Sequence, residues 1–150
     1  MELAEEVLRP WLLGVLAEAC AHAGQLDEGL RLVTEALEGV QQSGEHWWEA
    51  ELYRLQGELL VHAEGGVQHA AVTAEACFHQ ALAVARRQQA KSFELRAALS
   101  LSRLWQQQGK RQEARDLLTP IYKTPIYNWF TEGFDTADLR EARTLLDELG

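Results

Sequence analysis

Proline, cysteine and cationic side chains are all scarce in this chain, and each shortage removes a class of protein. Three prolines in 150 residues leave long stretches through which a helix can run unbroken. Two cysteines, Cys20 and Cys77, are too few for a disulfide scaffold; each falls in an apolar helical pattern and reads as a reduced, buried thiol. Fourteen Lys and Arg stand against 23 Asp and Glu. The resulting formal net charge of −9 repels a phosphate backbone, so neither nucleic acid nor an anionic membrane is expected as a partner. The first ten residues show no leader pattern of basic then apolar residues. No apolar run approaches the ~18 residues that span a bilayer. β-Branched runs are few. A cytoplasmic, all-α domain is therefore expected.

Ala, Leu, Glu, Gln and Arg dominate what is there, the residues that lose least on entering a helix. Apolar residues recur at helical spacing in seven segments. The first covers about Pro10 to Ala23, with Trp11, Leu12, Val15, Leu16, Ala19 and Cys20 forming a broad apolar face, and Gly24 stops it. The second runs to about Gln42, ended by Ser43-Gly44. A third, about Glu45 to Ala63, carries Trp48, Leu52, Leu55 and Leu59, and a loop opens at Gly65-Gly66. The fourth, about Ala70 to Gln89, should bury Ala74, Cys77, Phe78, Ala81, Leu82 and Ala85. The fifth runs from about Ser92 to Gln108, and a sixth starts near Gln112. The last, Thr136 to Leu149, has Asp135 or Thr136 as its expected N-cap. Short loops favour antiparallel neighbours. The expectation is three helical hairpins, about 10–43, 45–89 and 92–122, plus a C-terminal helix at 136–149, in one domain.

The hairpins share a pattern. Leading helices read Leu13-x2-Leu16-Ala17-x2-Cys20, Tyr53-x2-Gln56-Gly57-x2-Leu60 and Ala98-x2-Leu101-Ser102-x2-Trp105. Trailing helices read Gly29-x3-Val33-x2-Ala36-Leu37, Ala74-x3-Phe78-x2-Ala81-Leu82 and Ala114-x3-Leu118-x2-Ile121-Tyr122. The small residue (Ala17, Gly57, Ser102) lets two helices approach closely. Together these sets resemble the tetratricopeptide-repeat signature, with a longer and less regular period than that family's ~34 residues. The segments 44–60, 74–82 and 129–136 also resemble the C-terminal repeat region of large bacterial regulators that join a nucleotide cyclase or DNA-binding domain to a signalling ATPase. That resemblance implies a right-handed α-α superhelix serving as the interaction or regulatory tail of such a protein. The near-duplicate Thr119-Pro120-Ile121-Tyr122-Lys123 and Thr124-Pro125-Ile126-Tyr127-Asn128 departs from the pattern, and the sixth helix is expected to end or kink near Thr119.

Catalytic signatures are missing: neither G-x-G-x-x-G, nor G-x4-G-K-[ST], nor G-x-S-x-G occurs. Cys77 and His79, two residues apart on a helix, point to different sides and cannot share a metal ion without unwinding. Expected, then, is a non-enzymatic module without metal or cofactor that binds a protein or peptide segment; a small-molecule or peptide effector sensor is the alternative. Stacked hairpins line a concave groove with their leading helices. The repeat register puts Glu18, His22, Glu51, Arg54, Glu58, His62, Arg96, Leu99, Arg103 and Gln106 on that face. The apolar start (Leu3, Val7, Leu8) suggests an uncapped repeat end through which two copies could pair.

Overall fold

The computed structural model describes residues 2–62, 67–123 and 136–150. Seven α-helices make up these residues, with no strand among them: α1 (Glu2–His22), α2 (Leu26–Ser43), α3 (Glu49–Val61), α4 (Val67–Arg87), α5 (Lys91–Gln107), α6 (Arg111–Tyr122) and α7 (Thr136–Leu149). The chain divides into two compact units, Met1–Cys77 and Phe78–Gly150, with the division inside α4. The Gly65-Gly66 loop, Asp135, and the second copy of the duplicated motif lie outside the described residues.

In the first unit α1 and α2 form a hairpin, and α3 packs against both. Its turn is specified by hydrogen bonds. Gln25 N–H donates to the Cys20 carbonyl (2.8 Å) and Gly24 N–H to the Ala21 carbonyl (3.2 Å), with Gly24 at φ 78°. This double closure of a helix end needs a left-handed residue, which glycine adopts without a Cβ clash. In the second unit the α5–α6 turn repeats it 85 residues later. Lys110 N–H donates to Trp105 O (2.8 Å), Gly109 N–H to Gln106 O (3.1 Å), and Gly109 has φ 80°. The α4–α5 turn has the same form, Ala90 N–H to Ala85 O (2.9 Å), but its left-handed residue is Gln89 at φ 54°.

These turns bring small residues of the paired helices together. A Cβ on Gly29 of α2 would come within 3.3 Å of the Ala17 carbonyl oxygen, 3.4 Å of Cys20 Cβ and 2.8 Å of Leu59 Cδ2. Twelve residues also separate Ser102 from Ala114, and there the Ser102 hydroxyl donates to the Ala114 carbonyl at 3.4 Å. Ala17, Ser102 and Ala114 are all fully buried. The apolar residues follow: Ala17, Val33, Leu55 and Leu59 form one core cluster and Ala36, Val40 and Leu52 another. The second unit buries Phe78, Leu82, Leu95, Leu101, Leu118, Ala142, Leu145 and Leu149.

Three expectations are corrected. First, α1 begins eight residues before Pro10 and carries the proline inside it, despite the hydrogen bond its nitrogen cannot donate and the crowding of its ring against the carbonyl four residues back. Second, the broad apolar face of α1 is not its packed one: Trp11, Leu12, Val15 and Leu16 are exposed, while Pro10, Gly14 and Ala17 are buried. Small residues win the contact because they admit neighbours closely. A Cβ on Gly14 would sit 2.9 Å from Trp48 Nε1 and 3.2 Å from Leu52 Cδ2. Third, α6 passes through Pro120 to Tyr122, since Leu118 and Ile121 on either side of the proline are buried and hold the last turn in helical form.

Gln89→Gly should stabilise the fold by ~0.5–1 kcal/mol, because it relieves a left-handed side chain; Gly109→Ala should cost about 1 kcal/mol. A contrasting pair lies on α2. Gly39→Ala enters open space and should gain about 0.5–1 kcal/mol of helix propensity, whereas Gly29→Val should lose ~1–3 kcal/mol to overpacking. Urea unfolding followed by circular dichroism reads all four; a stabilised Gly29→Val would refute the close crossing.

Candidate functional site

The residues expected to face a partner fall into two sets, one in each unit. In the first unit Glu18 and His22 lie on α1, Glu51, Arg54 and Glu58 on α3, and His62 directly after α3. Arg54 is the hub. Its Nε and Nη2 donate to the two carboxylate oxygens of Glu51, each at 3.0 Å, a two-pronged pairing one helical turn apart. Both side chains are largely removed from water. Burial by itself would lower the Arg54 pKa; the charge of Glu51 and its hydrogen bonds, then Glu58 and Glu18, outweigh it and hold the guanidinium above its usual value. Glu58 Oε2 lies 4.0 Å from His62 Nε2, and His22 is exposed at the end of α1. Glu18, Arg54 and Glu58 therefore form one electrostatic group, while Glu51 is buried beneath it as the anchor of Arg54.

The second set is placed differently. Leu99 is a core residue and offers nothing to a partner. Arg96 Nε donates to Asp138 Oδ2 (2.8 Å), Arg103 pairs with Glu141, and Gln106 Nε2 donates to Glu148 Oε2 (3.2 Å). All three acceptors belong to α7, so this row of α5 is a clasp for the chain's own last helix. Arg111 of α6 adds a bond to the Glu148 carbonyl. Between the clasps, Ala142, Leu145 and Leu149 are buried at i, i+3 and i+7. The register identified these α5 residues as partner-facing; the sequence carried no sign that the partner is intramolecular, because the intervening segment has no periodicity linking α6 to α7.

Periodicity alone also missed two buried carboxylates. Glu94 accepts from Arg86 Nε (2.9 Å) and Lys91 Nζ (3.3 Å). Glu49 meets His46 Nδ1 at the start of α3. Their signal was local, a base three residues before each on a helix start. The Cys77 thiol, half-buried, donates to Gln56 Oε1 (3.4 Å), and burial raises its pKa. His79 turns its ring toward Trp105, centroids 5.9 Å apart. Among the described residues no three His, Cys, Asp or Glu side chains converge as a metal site. A cleft of about 460 Å³ between α1 and α2 is lined by Arg9, Pro10, Glu35, Glu38, Gly39, Gln42 and Ser43, and the Arg9–Glu35 ion pair (2.5 Å) occupies its wall.

Neither a family model, nor a curated protein, nor a solved structure matches the chain.

Glu51→Ala strands the buried guanidinium and should destabilise the first unit by ~2–4 kcal/mol, whereas the double variant Glu51→Leu with Arg54→Met should recover most of that loss. A double-mutant cycle in urea measures it, and additive single effects would contradict the pairing. Cys77, in a Cys20→Ser background, should alkylate with a midpoint above the ordinary thiol value. The fold resists its thiolate, so this group's contribution to stability is lost as pH climbs through the alkaline range. Iodoacetamide rate against pH reads the midpoint.

Proposed function

We propose that the chain is a tetratricopeptide-like module that binds protein segments and performs no catalysis. The observation that supports this reading best is the way each unit holds its third helix. The α1–α2 hairpin receives α3, and the α5–α6 hairpin receives α7 through an apolar stripe flanked by polar clasps. A hairpin face that accepts an amphipathic helix in this manner has the chemistry of helix-in-groove recognition. The matched turns at Gly24 and Gly109, and the twelve-residue spacing of the small contacts, agree with a repeat whose layers follow one template. The resemblance of the segments 44–60, 74–82 and 129–136 adds the role of a tail that carries partners for a larger signalling ATPase or cyclase protein.

The surface offered to a partner is the acidic row of the first unit, Glu18 and Glu58 around Arg54. A segment that suits it carries cationic side chains beside an apolar stripe. A small effector is the weaker alternative, since the cleft between α1 and α2 is polar-lined and its one cation is already paired with Glu35.

Panning a display library of helical peptides against the intact chain tests the reading. Expected are saturable binders enriched in Lys and Arg, with affinity reduced about tenfold or more in a Glu18→Lys, Glu58→Lys double variant assayed well below its melting transition, which falls because lysines replace acids that steady the buried Arg54. Binders unaffected by that charge reversal, or no saturable binding, would remove the acidic row as the site.

A further inference from the structure

The α1 helix leaves an apolar stripe uncovered, and three of the five matching positions in the second unit are buried. Leu8, Trp11, Leu12, Val15 and Leu16 stand at i, i+3, i+4, i+7 and i+8, the spacing of a helix face meant for contact. The α1–α2 and α5–α6 hairpins correspond residue for residue at an offset of 85, as their turns show. Leu12, Val15 and Leu16 then correspond to Ala97, Ser100 and Leu101. The former are 51%, 43% and 53% exposed; the latter are 1%, 3% and 0%. Along α5 runs the C-terminal half of α4, which reaches it through the His79–Trp105 ring contact and the Arg86–Glu94 ion pair, after a tight reversal at Gln88–Ala90. On α5, the residues that meet α4, Glu94 and Trp105, lie before and after these three buried positions along the helix. On α1 the matching positions are open.

We infer that two copies of this chain pair antiparallel through α1, each stripe covering the other. A two-fold axis across α1 produces the required antiparallel approach by symmetry, with the same patch on both sides. Between Leu8 and Leu16 the sole charged residue is Arg9, and its guanidinium is drawn to Glu35 on α2, so the pairing brings no like charges face to face along the stripe. Area supports it too. Five apolar side chains each about half open present on the order of 400–500 Å², the upper range for a lone soluble chain. Doubled by symmetry and extended to its flanks, the contact reaches about 1,000 Å², the floor for a specific interface. This goes beyond the peptide-binding reading, which concerns the α1 and α3 polar row, and stands or falls separately from it.

Light scattering on the eluting intact chain, from about 5 to 200 μM, should give a concentration-dependent mass rising to twice 16.9 kDa. The exposed double variant Leu12→Glu, Leu16→Glu should stay at monomer mass with an unchanged circular-dichroism melt. In a Cys20→Ser, Cys77→Ser background, Leu12→Cys should cross-link under mild oxidation and Gln41→Cys on α2 should not. A wild-type monomer throughout the range overturns the proposal, as when the stripe serves a different protein; so does a dimer that survives the glutamates or cross-links at Gln41→Cys in preference to Leu12→Cys.

Discussion

Helices can pair only as closely as their smallest facing side chains permit, and in this chain that limit is set at two crossings. Gly29 meets the Ala17 backbone in one hairpin, and Ala114 meets Ser102 in the other. A hairpin that crosses so near its turn needs the turn to be short and fixed, which the left-handed residues at Gly24 and Gly109 accomplish. From close pairing the rest follows. The two helices present a continuous shallow face, and a third helix with residues at i, i+3 and i+7 can seat its apolar side chains there. Leu52, Leu55 and Leu59 do so in the first unit; Ala142, Leu145 and Leu149 do so in the second. Charge decorates this plan at its margins, in the Arg54 hub and the α5–α7 clasps.

All seven helices were legible in the sequence as periodic segments, and so were the small residues, because both signals are local. Which side of α1 turns inward was not. That helix is apolar on two sides, and counting large residues favours Trp11, Leu12, Val15 and Leu16. Packing obeys distance rather than hydrophobicity alone, so Gly14 and Ala17 took the inner position. The boundaries at Pro10 and Pro120 differ for a related reason: neighbouring burial outweighs the lost hydrogen bond and the ring crowding that proline brings to a helix.

The candidate site was half legible. Repeat register found Glu18, Arg54 and Glu58 on one surface, since residues on the leading helices share a face by construction. It could not distinguish an open row from one already clasped, as Arg96, Arg103 and Gln106 show, because the clasping acids lie 42, 38 and 42 residues onward on α7. Nor could it show Glu51 sinking beneath Arg54, which depends on how α3 settles onto its neighbours.

Every packing between helices within the described units joins elements one or two places apart along the chain. Such short-range wiring asks for little loop closure before contacts form, so each unit has the topology of a rapid folder. It also makes the C-terminal helix separable: among the described residues α7 rests on α5 and α6, and its departure leaves their own pairing and the Gly109 turn in place. Opening of that last helix should therefore be a sub-global event, occurring at lower free energy than melting of the hairpin beneath it.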